Sequence, residues 1–209
     1  MEQQDILSMT LPELQAAVQE LGEPKFRAKQ IFNWLHQKRV TDFSEMTTLS
    51  LPFRERLASD FCINRLKIAK RLASSVDDTV KYLYELPDGN YVETVCMQYH
   101  HGTSLCISTQ VGCRMGCRFC ASAIAGFVRN LTPAEMLLQI YETERAQNCK
   151  ISSLVLMGIG EPLDNFDNVL RFLQLLSDPN GYGMSLRHVT VSTCGVVPKI
   201  LELAEQRLG

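Results

Sequence analysis

Residues 104–209 alternate between strand-like and helix-like patterns, and this alternation limits the folds open to the chain more than any other feature. Three short apolar runs predict strands, and each is followed by a segment with apolar residues at helical spacing. The expected elements are a strand at 105–110, a helix from Thr132 to Gln147, a strand at Leu154–Met157, a helix at Val169–Leu176, a strand at His188–Ser192 and a helix at Val197–Leu208. Repeated βα units form parallel sheets with right-handed crossovers. Three units are too few for a closed eight-unit barrel of about 250 residues, so we expect an α/β fold with part of a barrel.

The first 103 residues predict two smaller parts. Residues 1–72 indicate a helical accessory domain, because Thr10-Leu11-Pro12-Glu13 matches a capping box and further helices are expected from about Pro24 and from Ser50. Residues 73–103 change to a period of two, with turn residues at 87–90, which predicts a β-hairpin joined to the strand near residue 105. The third part, 104–209, holds the βα units.

Composition excludes the disordered, fibrous and membrane-spanning classes. Hydrophobic residues make up 45% and charged residues 21% of the chain. No apolar run approaches the roughly 18 residues of a membrane helix, and the start Met1-Glu2-Gln3-Gln4-Asp5 does not match a signal peptide. The formal net charge of −2 excludes a chain that is basic throughout. We expect a cytoplasmic protein.

Three of the eight cysteines stand within one short segment, Cys113-Arg114-Met115-Gly116-Cys117-Arg118-Phe119-Cys120. Such crowding favours metal chemistry over a disulfide framework. Three thiolates on a 4Fe–4S cluster leave one iron open to another ligand, as reductive cleavage of a sulfonium cofactor requires. The alternatives are a zinc site, whose fourth ligand would have to come from His100, His101 or Cys106, and cysteines without a metal. Cys62, Cys96, Cys149 and Cys194 are interpreted as packing residues.

Two further segments follow predicted parallel strands, where ligands bind at the carboxyl ends. In Gly158-Ile159-Gly160-Glu161 the small residues would let the backbone approach a cofactor, and the carboxylate could bind an ammonium group. Ser192 ends the next strand at the same rim of the sheet. The alternatives are an ordinary βα turn for the glycine segment and a turn-forming serine at 192.

Glu93 lies in the predicted hairpin and shares a strand face with Tyr91, Val95 and Met97. A carboxylate within an apolar row could have a raised pKa and act as a general base near neutral pH. An acid on an edge strand that points to solvent is the alternative.

These motifs together resemble the radical S-adenosylmethionine (SAM) superfamily. The flanking sequences resemble one bacterial family within it, the dual-specificity methyltransferases that act on C2 of adenine in 23S rRNA and tRNA. The segments that carry this resemblance are 106–113, 126–127, 129–132, 157–163 and 191–198, together with Phe119 before the last cysteine of the loop. Val111 and Pro162 fit this family better than the related adenine-C8 methyltransferases, which remain an alternative.

The resemblance implies a role for each motif residue. It implies one 4Fe–4S cluster on Cys113, Cys117 and Cys120, and SAM bound by Gly160, Glu161 and Ser192. The family's Glu-Thr-Val motif matches residues 93–95, which implies that Glu93 is the proton acceptor. Cys106 is implied to form a transient disulfide with a methyl-carrying cysteine from the family's C-terminal part.

The resemblance also implies the reaction and its partners. One SAM methylates a cysteine, a second SAM is cleaved at the cluster, and the resulting radical transfers the methyl carbon to adenine C2. The implied partners are 23S rRNA, tRNA and a flavodoxin- or ferredoxin-type electron donor, with no membrane and a monomeric protein. Because the methyl-carrying cysteine falls beyond residue 209, we expect family identity with little or no complete methyl transfer. A non-catalytic RNA-binding module and an iron–sulfur scaffold are the alternatives.

Two clusters of cations are candidates for phosphate binding. One is on or beside the second helix and comprises Lys25, Arg27, Lys29, Lys38 and Arg39. The other surrounds the cysteine loop and comprises Arg114, Arg118 and Arg129, with no acidic residue between Gly112 and Asn130. Solvated surface is the alternative for both, and Trp34 is expected in the core.

Overall fold

The computed structural model describes residues 3–124 and 126–208. Met1, Glu2 and Gly209, which the sequence analysis named at the two ends of the chain, lie outside the described residues. None of the helices in the described ranges combines the length and the apolar character needed to cross a membrane.

The described residues contain six α-helices, which follow the predicted order with small shifts at their ends. They are α1 (Leu11–Glu20), α2 (Phe26–His36), α3 (Leu51–Asp60), α4 (Pro133–Gln147), α5 (Phe166–Ser177) and α6 (Val197–Glu205). The capping box predicted at Thr10 is present, since the Thr10 N–H donates to Glu13 Oε2 at 2.8 Å. An equivalent box begins α4, where the Glu135 N–H donates to Thr132 Oγ1 at 3.2 Å. Local capping chemistry therefore sets the start of both helices.

Ten strands lie within residues 3–124 and 126–208, and they include the predicted ones and several that the sequence patterns did not indicate. They are β1 (Gln4–Asp5), β2 (Phe61–Cys62), β3 (Lys67–Ala73), β4 (Val80–Glu85), β5 (Tyr91–Tyr99), β6 (Gly102–Ile107), β7 (Gln110–Gly112), β8 (Phe127–Asn130), β9 (Ile151–Leu156) and β10 (Val189–Val191). The expected hairpin is β4–β5, with its turn at residues 87–90.

Six strands form one mixed sheet in the order β10-β9-β6-β5-β4-β3. The pairs β10–β9 and β9–β6 are parallel, whereas β6, β5, β4 and β3 pair antiparallel in turn. Each parallel strand is followed by a long helix: β6 by α4, β9 by α5 and β10 by α6. The sheet does not close. This arrangement confirms the expected partial barrel with a helical part and a hairpin extension.

The register gives the sheet two different faces. The helix-covered face consists of the buried residues Val80, Tyr82, Tyr84, Val92, Thr94, Cys96, Leu105, Ile107, Leu154 and Leu156. The open face consists of the intervening, half-buried residues Lys81, Leu83, Glu85, Glu93, Val95, Met97, Cys106 and Val155. Because side chains alternate along a strand, one residue step moves a side chain from one face to the other.

Helix α4 covers the sheet and is buried along most of its length, including its polar residues. Gln139 is the centre of the polar network: Oε1 accepts bonds from Thr94 Oγ1 and the Ser108 N–H, both at 2.8 Å, and Nε2 donates to the Ser108 carbonyl at 3.0 Å. Tyr84 Oη and Thr143 Oγ1 form a second bond at 2.8 Å. These bonds satisfy polar groups that would otherwise be costly to bury.

The helical part shares a continuous hydrophobic core with the sheet and its helices. His36 is buried, and its Nδ1 lies 2.9 Å from Tyr141 Oη on α4. Arg39 forms an ion pair with the buried Glu144. All of strand β3 except Ala73 falls inside the range predicted as the helical domain, yet the strand pairs with β4. The boundaries of the three predicted parts stay a prediction.

Candidate functional site

The predicted cofactor residues meet in one cavity at the carboxyl ends of the three parallel strands. The Gly158 N–H donates to the Ile107 carbonyl at 3.0 Å, and the Ser192 N–H donates to the Leu156 carbonyl at 3.3 Å. These bonds continue the sheet into the loops. The cavity has a volume of about 150 Å³, and its walls include all six predicted cluster and SAM residues: Cys113, Cys117, Cys120, Gly160, Glu161 and Ser192.

The cysteine loop is closed at its base by the antiparallel pair β7–β8. Gly112 ends β7 with φ +72°, and a Cβ there would lie 1.8 Å from the Gly126 carbonyl oxygen. The next residue is fixed to the same carbonyl, since the Cys113 N–H donates to it at 2.9 Å. A side chain at 112 would therefore open the base of the loop and move the first cysteine.

The three loop cysteines are half-buried, and none of them is in a disulfide. Among the described residues, no group of three or more His, Cys, Asp or Glu side chains is arranged to hold a single metal ion. Thiolates that each bind a different iron of a cluster need not converge on one point, whereas zinc ligands must. Three thiolates from one short loop, one for each of three irons, are a donor set that a 4Fe–4S cluster can use. That these three residues are the ligands stays a prediction.

Glu161 is buried at the rim of this cavity and holds two loops together. Its Oε1 accepts from the Leu163 N–H at 2.9 Å, and its Oε2 accepts from the Cys194 N–H at 2.7 Å. An ionised carboxylate has about four lone-pair positions. Two bonds leave acceptor capacity on Glu161 for an ammonium group of a ligand.

The glycines of the segment 158–161 are required by backbone packing. A Cβ on Gly158 would lie 2.7 Å from the Ile107 backbone, and a Cβ on Gly160, at φ +101°, would lie 2.5 Å from the Gln110 Cβ. Close packing of the β9 loop on the β6 loop therefore explains both residues without a cofactor. Contact between Gly160 and SAM stays a prediction.

Glu93 lies on the open face, in the row shared with Val95 and Met97 that the sequence predicted. That row is the half-exposed side of β5, and the Glu93 side chain is 40% exposed. Its Oε1 pairs with Lys81 Nζ at 2.6 Å. Glu93 interrupts this row as predicted, but the row is not buried, because the buried residues of this strand are the alternate ones on the helix-covered face.

Cys106 and Glu93 are close neighbours on the open face. Cys106 is directly opposite Val95, and Ser108 lies beside Glu93, whose carbonyl accepts from Ser108 Oγ at 2.6 Å. Diagonal neighbours on one sheet face are about 7–8 Å apart. Burial raises the pKa of the Cys106 thiol above its ordinary value. None of the cysteines forms a disulfide within the described residues, and the transient pairing of Cys106 with a cysteine from the family's C-terminal part stays a prediction.

The arginines of the cysteine loop are less available than the sequence suggested. Arg114 pairs with Asp164 at 2.9 Å, and Arg129 pairs with Asp88 at 2.6 Å and with Glu135 at 2.7 Å. The acidic partners come from other parts of the chain, so their absence from the loop sequence was misleading. Arg118 is exposed.

The cations on or beside α2 likewise include some with partners in the chain and some that are exposed. Arg27 donates to Gln30 Oε1 at 2.8 Å, and Arg39 pairs with Glu144. Lys25, Lys29 and Lys38 are exposed. Lys38 Nζ lies 3.4 Å from the centre of the Trp34 ring, and Trp34 is half-buried against the hydrophobic core.

Two functional features escaped the sequence analysis. Cys194 is exposed and lines the cavity beside the three loop cysteines, so its interpretation as a packing residue is wrong. Desolvation, followed by the Glu161 carboxylate, raises the pKa of its thiol to about 11. The second feature is β3, an edge strand exposed along its whole length that carries Lys67, Lys70 and Arg71. The sequence feature that could have indicated this basic strand is the lack of any acidic residue from Phe61 to Val76.

Comparisons with known proteins match both halves of the chain. Residues 4–63 match the family model of the ribosomal RNA large subunit methyltransferase N-terminal domain, and residues 107–207 match that of the radical SAM superfamily. A solved structure of a radical SAM methyltransferase from Sphaerobacter thermophilus has a TM-score of 0.90 and 35% identity, over 98% of this chain and 61% of that chain.

Curated relatives extend the match over nearly the whole chain. A probable dual-specificity RNA methyltransferase RlmN from Lachnoclostridium phytofermentans is 53% identical over 97% of this chain and 57% of its own length. A relative with the same description from Alkaliphilus oremlandii is 50% identical over 100% of this chain and 60% of its own length. The chain thus spans somewhat more than half the length of these curated relatives.

Proposed function

The chain belongs to the dual-specificity RNA methyltransferase family of the radical SAM superfamily, and from that premise we propose that it carries the cluster- and SAM-binding part of an enzyme that methylates C2 of adenine in 23S rRNA and tRNA. The observation that carries the proposal is the convergence of Cys113, Cys117 and Cys120 with Glu161 and Ser192 on one cavity.

In this proposal the three cysteines hold a 4Fe–4S cluster and the rim residues hold SAM. When bound, the cluster supplies the single electron that cleaves the sulfonium of SAM. Glu161 would accept hydrogen bonds from the SAM ammonium group with the lone pairs that the backbone bonds leave free. Ser192 would present its hydroxyl from the end of β10 to the same ligand. The buried Glu161 carboxylate orients both loops, so the site is preorganised.

The open face would supply the remaining steps. Glu93 would remove the proton from adenine C2, with Lys81 holding the carboxylate in place at 2.6 Å. Cys106 lies on the same face and would release the product by forming a disulfide with a methyl-carrying cysteine. We assign that second cysteine to none of the eight in this chain. The proposal includes a flavodoxin- or ferredoxin-type electron donor, a monomeric protein and cytoplasmic location.

The basic surfaces support an RNA substrate. Lys67, Lys70 and Arg71 on β3 have no salt bridge or side-chain hydrogen bond to any other described residue. Lys67 and Lys70 project to the same side as Lys81 on β4, because they pair beside Glu85 and Leu83. An RNA backbone along this edge would place an unpaired base over the open face near Glu93.

The proposal is tested by anaerobic reconstitution of the chain with iron and sulfide, followed by reduction in the presence of SAM. We expect 5′-deoxyadenosine from the unmodified chain and none from Cys117→Ser. Cys149→Ser is the matched control, since Cys149 lies between α4 and β9, outside the cavity, and its product yield should be unchanged. A cluster that forms but produces no 5′-deoxyadenosine would contradict the proposal.

An assay with RNA distinguishes the C2 reaction from the C8 reaction and from a non-catalytic RNA-binding module. The test adds rRNA or tRNA together with the part of a curated relative that lies outside the match. The product 2-methyladenosine then supports the C2 reaction, whereas 8-methyladenosine identifies the chain with the C8 relatives. RNA binding without a SAM-responsive cluster would instead favour the non-catalytic module, for which the exposed cations of β3 are the supporting observation.

A further inference from the structure

The cavity contains a fourth cysteine that the proposed reaction does not use. Cys194 follows β10 by three residues and lines the cavity together with Cys113, Cys117 and Cys120. The four cysteines therefore share one cavity of about 150 Å³. The loop cysteines and Cys194 come from different βα units, and only the fold brings them together.

The backbone around Cys194 is held in a defined position. The Cys194 N–H donates to Glu161 Oε2 at 2.7 Å, and two residues earlier the Ser192 N–H continues the β10–β9 pairing. Gly195 follows with φ +106°, and its N–H donates to Thr193 Oγ1 at 3.0 Å. Cys194 therefore lies at the cavity in a turn whose backbone is held by hydrogen bonds.

The donor chemistry of the cavity favours Cys194 as a ligand. Three protein thiolates satisfy three irons of a 4Fe–4S cluster and leave the fourth without a protein ligand. The other side chains that line the cavity offer the thioethers of Met115 and Met157, hydroxyls, and the Glu161 carboxylate, which already accepts two backbone bonds. Thiolate is the donor that iron–sulfur clusters use most.

We propose that Cys194 binds the fourth iron of the cluster when SAM is absent and that SAM displaces it. This inference rests on the proposed function, because it requires the cluster on the three loop cysteines. When the iron–sulfur bond forms, the thiol releases its proton to solvent. When SAM donors replace the thiolate, Cys194 takes up a proton again. No electron is transferred in either direction.

Two consequences follow for the cluster. An iron held by a protein thiolate is lost more slowly on oxidation than one held only by the sulfides, so Cys194 protects the cluster from conversion to a 3Fe–4S form. Cys194 also competes with SAM, and the apparent Kd for SAM rises as the fraction of competent sites falls. If Cys194 occupies about nine tenths of the sites, its removal strengthens SAM binding about tenfold.

The experiment uses the full chain, reconstituted anaerobically as the unmodified protein and as Cys194→Ala, with Cys149→Ala as the matched control. Ferricyanide oxidation is followed by the EPR signal of the 3Fe–4S form, and SAM binding is followed by the change in the EPR spectrum of the reduced cluster. We expect Cys194→Ala to convert several-fold faster and to bind SAM about tenfold more tightly, with the control unchanged. Equal rates and equal SAM affinities in all three proteins would overturn the inference and leave the proposed function intact.

A labelling measurement on the unmodified chain avoids dependence on the variant. Iodoacetamide should label Cys194 in the cluster-free protein, fail to label it in the loaded protein, and label it again after SAM is added, as read by mass spectrometry. Labelling of Cys194 in the loaded protein without SAM would overturn the inference. An unmodified chain that assembles no cluster would overturn the proposed function and this inference with it.

Discussion

The two faces of the sheet use the same strands for different purposes. On the helix-covered face, Tyr82, Tyr84 and Thr94 are fully buried and the polar groups bond to α4 or its neighbours. On the open face, the alternate residues Glu93 and Cys106 keep partial exposure and few partners. Packing determines the residues of the first face, whereas the second is free to carry chemistry. Substitutions on the two faces should therefore separate stability from function.

The largest effect on stability is expected from a pair of neighbours in β6. Leu105 is fully buried on the helix-covered face, and Leu105→Ala should lower the free energy of unfolding by about 2–5 kcal/mol through lost burial and a cavity. Cys106→Ala, one residue on, should cost about 1 kcal/mol or less. Urea unfolding of both variants measures the difference, and equal losses would show that the two faces are not distinct.

The second effect concerns the contact of α2 with α4. Burial lowers the pKa of His36 to about 4 from its ordinary 6.5, so the folded state binds fewer protons than the unfolded state between these values. Stability due to neutral His36 is complete above about pH 6.5 and is lost as the pH falls toward 4. The advantage of the unmodified chain over His36→Phe should shrink by about 2 kcal/mol between about pH 7.5 and pH 5.

A second titrating group, Asp5, is the reason for comparing the unmodified chain with His36→Phe instead of following one protein alone. Burial raises the pKa of Asp5 to about 6, so protonation of this carboxyl favours the folded state as the pH falls below 6. This contribution opposes that of His36 but is present in both proteins and cancels in their difference. Urea unfolding measures the difference in the free energy of unfolding between the two proteins. A difference that stays constant across the pH range would show that folding does not change the pKa of His36.

Much of this architecture could be predicted from the sequence because it is local. The capping box at Thr10, the helical spacing of apolar residues after Thr132 and the turn at 87–90 act within a few residues, and they indicated α1, α4 and the β4–β5 hairpin. The cavity residues were also found, since strand ends in a parallel sheet meet at one edge.

The parts that the sequence missed depend on contacts between distant residues. Strand β3 has no buried residue in its entire length and hence no alternating pattern to reveal it. The acidic partners of Arg129 lie 41 residues before it and six after it, and Cys194 reaches the cysteine loop only through the order of the strands. Glu93 was assigned to the correct row of side chains, but only the position of α4 shows which row is covered.

The third effect tests the basic edge of the open face. Reversal of two charges in Lys67→Glu/Lys70→Glu, the two β3 cations on the open side, should weaken binding of tRNA about tenfold and reduce the salt slope by about 2, because each lost phosphate contact removes about 1. A control with the same change in net charge is Arg56→Glu/Lys199→Glu, on α3 and α6. Fluorescence anisotropy at several salt concentrations measures both quantities, and equal weakening by the two double variants would contradict a specific role for β3.

The smallest effect on stability is expected at Glu93. Its ion pair with Lys81 is exposed, and exposed pairs contribute about 1 kcal/mol or less. Glu93→Gln should therefore leave the free energy of unfolding within about 1 kcal/mol of the unmodified chain, with Glu85→Gln on the same face as control. A loss well above this limit for Glu93→Gln alone would indicate a structural residue and weaken its assignment as the proton acceptor.

The central claim is that the cavity at the ends of β6, β9 and β10 holds a cluster with one iron accessible to SAM. The most direct measurement is electron–nuclear double resonance on the reduced, reconstituted chain with SAM labelled by nitrogen-15 at the amino group and oxygen-17 at the carboxylate. We predict hyperfine coupling of both nuclei to the cluster, because the methionine end of SAM should occupy the open iron. A reduced cluster that shows no coupling to either label at saturating SAM would contradict the account.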